Sequence, residues 1–176
     1  MLKFKKNKVK NICLIGFMGS GKSLIGRELA QKYKIKFFDT DNEIEKSVGK
    51  SINNIFRDNG ESYFRNIEEE ICINLIKKQN CIISMGGGSI NSIKVRDMIK
   101  KNSFSIYLKV NKIILFERLK NSKKRPLLNK KNKFKVIEEL YDKRKIFYND
   151  ADLIIENNND KHDIINIIMS NISFYE

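Results

Sequence analysis

Residues Gly16-Phe17-Met18-Gly19-Ser20-Gly21-Lys22-Ser23 fit the pattern G-x-x-x-x-G-K-[ST] without a gap. The flanks suit it. Val9 to Ile15 is a short apolar run that reads as a buried strand, and Leu24, Ile25, Leu29 and Ala30 recur at helical spacing toward Tyr33. Glycines in such a loop let backbone N–H groups turn inward around phosphate oxygens, and the helix that follows adds positive potential. Gly19, Ser20, Gly21, Lys22, Ser23 and Leu24 are therefore candidates to hold a nucleoside triphosphate. Lys22 would reach the β- and γ-phosphates, and the Ser23 hydroxyl would ligate Mg²⁺. The loop specifies a triphosphate and leaves the reaction open, since ATPases, GTPases and small-molecule kinases share it. No base-reading N-K-x-D follows a suitable strand, which disfavours a GTPase.

Four further groups carry chemistry. Asp39-Thr40-Asp41 closes the second expected strand and includes the only threonine. Phe64-Arg65-Asn66-Ile67-Glu68 lies on a long expected helix, Gly86-Gly87-Gly88 ends the third strand, and Arg125-Pro126-Leu127-Leu128 sits in a basic segment. Each has a plainer alternative. Asp39 or Asp41 could cap a helix, and Asp41 could both cap and bind. Arg65 stands i, i+4 from Glu61 and i, i+3 from Glu68, the spacing of ordinary surface ion pairs. The three glycines could form a simple turn, and Arg118 could be a cation at a helix C-terminus.

These groups need a scaffold that brings strand ends together. Ile35–Phe38, Cys81–Met85, Phe104–Val110 and Asp152–Glu156 read as further strands. Helical patterns fall at Glu43–Val48, Ser51–Arg57, Glu61–Lys78, Ser92–Lys101, Lys112–Leu119, Phe134–Tyr148 and His162–Ile172. Asn157-Asn158-Asn159 reads as a turn, and residues 120–133 as a polar, lysine-rich mobile loop or lid. Strands alternating with helices imply βαβ units: an α/β three-layer sandwich with a five-stranded parallel sheet covered on both faces. The carboxyl ends of parallel strands face one crevice, so the glycine loop, the Asp pair and the triple glycine should converge. With no repeat and no linker, residues 1–176 are expected to form one domain.

Composition sharpens the choice. The chain holds 28 Lys, 28 Ile and 21 Asn but only seven Arg, and its formal net charge is +14. Such a charge invites a nucleic-acid reading, yet the lysines are scattered without interleaved aromatic residues, so they read as a solvated surface. No nucleic-acid partner is expected. No apolar run is long enough to span a bilayer, and the basic N-terminus lacks a signal-peptide core, so no membrane partner and a cytoplasmic location are expected. Cys13, Cys72 and Cys81 lack metal-site spacing and read as small buried residues. In a chain this rich in lysine, each arginine is a candidate for work that lysine cannot do. Arg65 and Arg125, six of the nine glycines, the only Thr and the only Pro fall in the groups above.

Taken in order, G-F-M-G-S-G-K-S, F-D-T-D, F-R-x-I-E-E, G-G-G, R-P-L-L and R-x-x-x-Y-x-x-A from Arg144 resemble the shikimate kinase family from about Lys10 to Ile155. The resemblance implies transfer of the γ-phosphoryl group of Mg-ATP to the 3-hydroxyl of shikimate, in the pathway to chorismate and the aromatic amino acids. It implies a P-loop kinase fold with strand order 2-3-1-4-5, a closing lid at about 120–133 and an acceptor-binding helical region at about 40–70. Arg65 and Arg144 match the family's carboxylate-binding arginines, a role suited to a planar fork. Glu68 would orient Arg65. Asp41 matches the residue that binds the acceptor hydroxyls and could take the 3-hydroxyl proton. Gly86, Gly87 and Gly88 would let the backbone approach the acceptor. Asp39 and Ser23 would hold one Mg²⁺. Arg125 matches the lid arginine that neutralises the transferring group, with Lys22 and Asp41 completing the catalytic set. Arg118 matches the adenine-stacking arginine. Leu24, where Thr is frequent, is expected to point into helix packing, and Ile146 stands where many members have Pro. A monomer is expected. A different acceptor on the same fold, such as gluconate or a nucleoside monophosphate, is the alternative, disfavoured by the paired arginines and the triple glycine.

Overall fold

The structure, a computed structural model, describes residues 10–122, 126–128, 132–158 and 161–172. Arg125, most of the expected lid lysines, Val9 and Asn159 lie outside the described residues. In chain order the elements are β1 (Asn11–Ile15), α1 (Lys22–Lys32), β2 (Lys36–Asp39), α2 (Thr40–Val48), α3 (Ile52–Ile76), β3 (Cys81–Ser84), α4 (Ile93–Asn102), β4 (Ser103–Lys109), α5 (Lys112–Leu119), α6 (Lys133–Tyr148), β5 (Leu153–Glu156) and α7 (Lys161–Asn171). Short 3-10 turns occupy Ser89–Asn91 and Pro126–Leu128.

The five strands form one sheet in the order β2-β3-β1-β4-β5, with every pairing parallel. Period-2 alternation divides β1 to β4 between two cores. Cys13 and Ile15 of β1, Ile83 of β3 and Tyr107 of β4 face a layer built from α3, α4 and α6. Ile12, Leu14, Ile82 and Ile106 face the layer of α1 and α7. β1 is therefore apolar and buried on both faces, which is why its sequence reads as a continuous apolar run. A third, smaller core of Ile44, Ile55 and Phe64 joins α2 to the first half of α3. It builds a wall beside the strand ends, in the region expected to hold the acceptor.

Local sequence sets the boundaries. Asp39 caps α2, its Oδ1 accepting from the Asp41 and Asn42 amides at 3.1 and 3.4 Å. The helix thus starts at Thr40, three residues before the apolar pattern suggests, and Asp41 sits in its first turn without being the cap. Ser51 caps α3 and Ser92 caps α4 through their hydroxyls. The two helices expected at Ser51–Arg57 and Glu61–Lys78 appear as one run kinked at Gly60, whose φ of 82° and ψ of 173° are not helical. The cysteines are free and buried, with burial pushing the Cys13 thiol up to about 12.

Candidate functional site

The glycine loop leaves the central strand β1, which has β3 on one side and β4 on the other. This is the switch-point crevice of an open parallel sheet. Gly19 and Gly21 take φ of 78° and 87°, turning the loop into the start of α1. The buried Lys22 ammonium donates to the Gly16 and Phe17 carbonyls, each at 2.9 Å, and to Ser20 Oγ at 3.3 Å. Its charge is thus held inside the loop.

Two braces support the loop from distant parts of the chain. Arg118, in the last turn of α5, donates to the Gly19 carbonyl at 3.1 Å. Asn157, just past β5 and nearly inaccessible, donates to the Ser20 carbonyl at 2.7 Å. Asn157 was invisible among 21 asparagines, and the turn reading gave it no role. Leu24 does not pack inward as expected. It is 50% exposed at the rim of the loop cavity, because the buried stripe of α1 runs through Ile25 and Leu29.

Ser23 Oγ donates to Asp39 Oδ2 at 2.5 Å and lies 3.3 Å from Ser84 Oγ. The register explains the meeting: Asp39 of β2 and Leu14 of β1 both pair with Ser84 of β3. Ser84 thus places a hydroxyl, and not a second carboxylate, at the end of β3 beside this pair. The donor set is entirely oxygen. Among the described residues no group of three or more His, Cys, Asp or Glu side chains is placed to hold a metal. One carboxylate and one hydroxyl fit Mg²⁺, which keeps several waters and takes its remaining oxygens from phosphates.

The triple glycine closes the site against three different walls. A Cβ on Gly86 would meet Asp41 and Glu68 oxygens at 2.8 and 2.9 Å, one on Gly87 the Met18 amide at 2.9 Å, and one on Gly88 the Arg65 guanidinium. None of the three needs positive φ, so close approach is what requires glycine here. The Gly86 N–H donates to Thr40 Oγ1 at 2.7 Å, which gives the only threonine its place.

Beyond the glycines, Arg65 and Arg144 line one cavity with Asp41 and Glu68. The ion pairs expected of Arg65 form, and the same side chain lines the cavity. Its Nη1 donates to Glu68 at 2.5 Å, and its Nε and Nη2 to Glu61 at 3.2 and 3.0 Å. These bonds fix the fork at the cavity edge. Burial works against the Arg65 charge, but the Glu68 and Glu61 carboxylates outweigh it and raise its pKa. Burial likewise raises the Glu68 pKa, with Arg65 opposing. Arg144 is only 3% exposed, and burial lowers its pKa. It donates to the Gly87 carbonyl at 3.2 Å, and Tyr148 donates to the same oxygen at 2.6 Å. Tyr148 stacks on Tyr107, whose hydroxyl meets that of Tyr141 at 3.2 Å. Ile146 is exposed on α6, and Arg144 reaches the cavity with Ile in place of Pro.

Met18, Asp41 and Gly87 line both this cavity and the one around Lys22 and Ser23. A triphosphate terminus and a second, anionic ligand would therefore meet beside Asp41. Pro126 and Leu127 cover the second cavity.

Comparison with known proteins agrees with this arrangement. A family model described as shikimate kinase matches residues 18–173. The shikimate kinase of Persephonella marina is 44% identical over 166 residues, covering 93% of this chain and 99% of its own. The structure of shikimate kinase from Acinetobacter baumannii in complex with shikimate superposes with a TM-score of 0.87 at 32% identity, covering 93% of this chain and 94% of its own. A gluconokinase from Sinorhizobium meliloti, at 15% identity and a TM-score of 0.57, shares the fold alone. Two cavities joined at an aspartate, with paired arginines in the second, are thus set in a chain alike over nearly its whole length. The chain belongs to the shikimate kinase family, phosphotransferases with an alcohol acceptor.

Proposed function

We propose that this protein moves the γ-phosphoryl group of ATP to the 3-hydroxyl of shikimate, with the acceptor in the cavity of Arg65 and Arg144. The observation that carries this reading is the shared wall of Met18, Asp41 and Gly87 between the two cavities. It sets a carboxylate where the acceptor hydroxyl and the terminal phosphate must come together.

The chemistry divides among the residues. Arg65 and Arg144 bind the acceptor carboxylate as planar forks, and their fixed positions orient the ring. Asp41 accepts a hydrogen bond from the 3-hydroxyl and takes its proton as the oxygen attacks phosphorus. Gly87 and Gly88 bring backbone against the acceptor. Lys22 leaves its loop carbonyls for the β- and γ-phosphates, and the Gly19–Ser23 amides surround them. Ser23 and Asp39 would hold Mg²⁺, which would supply positive charge to screen the phosphates. Arg125, from the lid, neutralises charge on the transferring group. Arg118 stacks on adenine while keeping its hold on Gly19. Closure of the 120–133 segment excludes water, so the phosphoryl group goes to the sugar-like acid and not to hydrolysis.

No helix among the described residues is long and apolar enough to cross a membrane. We read the enzyme as a monomeric, cytoplasmic protein that needs no nucleic acid. A coupled ADP-release assay offered shikimate, gluconate and nucleoside monophosphates tests the reading. Turnover with shikimate alone is expected, and faster turnover with either alternative acceptor would replace it.

A further inference from the structure

Seven arginines stand out against 28 lysines, and three of them, Arg27, Arg57 and Arg96, have no role in the account above. Arg27 and Arg57 are exposed. Arg96, on α4, is partly buried and lines neither of the two joined cavities. Its Nη1 donates to the Ile90 carbonyl at 2.8 Å and to the Asn91 carbonyl at 3.0 Å. Both belong to the 3-10 turn Ser89–Asn91, which continues directly from Gly86-Gly87-Gly88. Its guanidinium carbon lies 4.1 Å from the centre of the Phe147 ring. Phe147 is on α6, next to Tyr148 and three residues after Arg144, the two side chains that donate to the Gly87 carbonyl.

We propose that Arg96 is a positioning residue for phosphoryl transfer: it locks the Gly87–Gly88 wall to α6 and so holds Arg144 at the acceptor carboxylate. Two bonds join α6 to the wall from inside, through Arg144 and Tyr148. Arg96 joins the same two segments from outside, through carbonyls and a ring. A guanidinium can present a planar face to a ring while an edge N–H reaches carbonyls. An ammonium is a compact, strongly hydrated point charge and loses the stacked half of the contact. That accounts for an arginine at 96 in a chain that uses lysine elsewhere. Losing the lock lets α6 slide against the glycine turn, and displacements near 1 Å at a reacting site cost about a hundred-fold. Arg144 faces the acceptor and not the nucleotide, so the loss falls on acceptor binding.

This inference rests on the acceptor cavity being the shikimate site. The test is steady-state kinetics of wild type, Arg96→Lys, Arg96→Met and Phe147→Leu, varying shikimate and ATP separately, with thermal melting alongside. The expected result is a KM for shikimate raised about ten-fold in each variant, with the KM for ATP within about two-fold, since acceptor misplacement is the cause. Lysine should not rescue. Arg96→Lys combined with Phe147→Leu should be no worse than the worse single variant, because both break one contact. Phe147→Leu keeps both carbonyl bonds, so it reports even if Arg96→Met fails to fold. An unchanged KM for shikimate in folded Arg96→Lys, equal changes for both substrates, or additive effects would each overturn the proposal. If the wild type itself shows no shikimate-dependent turnover, the assignment of the cavity fails instead.

Discussion

The Ser23 hydroxyl and the Asp39 carboxylate meet at 2.5 Å, joining the first turn of α1 to the end of β2. The same aspartate caps α2 with its other oxygen. One side chain thus caps a helix with one oxygen and offers the other to the proposed metal site. The two roles separate by substitution. Asp39→Ser keeps a capping hydroxyl and removes the carboxylate, whereas Asp39→Ala removes both. Both variants should raise the Mg²⁺ needed for half-maximal rate by about 10- to 100-fold. Only the alanine variant should also lose about 1 kcal/mol of stability. Mg²⁺ titration and melting read the two effects, and wild-type Mg²⁺ dependence in Asp39→Ser would remove Asp39 from the metal site.

Arg65 is held by Glu61 and Glu68 with its fork at the cavity edge. Arg65→Lys retains charge and loses two-point geometry. Hydrogen bonds between charged groups contribute about 1.5–3 kcal/mol, so the KM for shikimate should rise about 10- to 100-fold. The KM for ATP should stay near wild type. Equal losses for both substrates would show that the Arg65 ion pairs are structural only.

Thr40 is fully buried and accepts from the Gly86 N–H at 2.7 Å. Thr40→Val keeps shape and leaves that N–H without its acceptor, which costs about 1–3 kcal/mol. Thr40→Ser keeps the hydroxyl and should lose less. Denaturant unfolding of both variants measures the difference, and equal stabilities would show that the bond contributes nothing.

Much of this was legible along the chain because the signals are local. The apolar run of β1, the glycine loop and the stripe of α1 are contiguous, and the break at Gly60 follows from one residue's backbone preference. The meeting of Asp39 with Ser23 was legible too, because both lie at the carboxyl ends of parallel strands, which face one crevice, although β3 separates those two strands. Other contacts depend on register between distant segments. Asn157 reaches Ser20 across 137 positions only because β5 pairs with β4, and an asparagine in an asparagine-rich chain gives no contrast. Ser84 gained meaning only when β3 paired with both β2 and β1. Tyr148 was part of a motif, but its bond to Gly87 and its stacking on Tyr107 needed α6 placed against the sheet. Leu24 shows the opposite failure: a helical pattern fixes which stripe is buried only after the neighbouring layer is known.

Burial raises the Glu68 carboxyl above its ordinary value of 4.5, with Arg65 opposing. Just above that pH the folded chain keeps a proton that the unfolded chain has lost. The group's stabilisation is therefore complete below 4.5 and fades as pH rises through the raised value. Glu68→Gln has no proton to lose. The stability difference between variant and wild type should move in favour of Gln with rising pH, by at most about 1.4 kcal/mol per unit within the window. Urea unfolding from pH 4.5 upward reads this directly, and a constant difference would contradict the raised value.

The most direct measurement is the position of the phosphate in the product. Wild-type protein is incubated with Mg-ATP and shikimate, and the product is read by phosphorus–proton correlation NMR. The expected result is phosphorus coupled to the ring proton at carbon 3, formed in step with ADP. Phosphorus on another hydroxyl, or ADP formed with inorganic phosphate alone, would contradict the placement of the 3-hydroxyl beside Asp41.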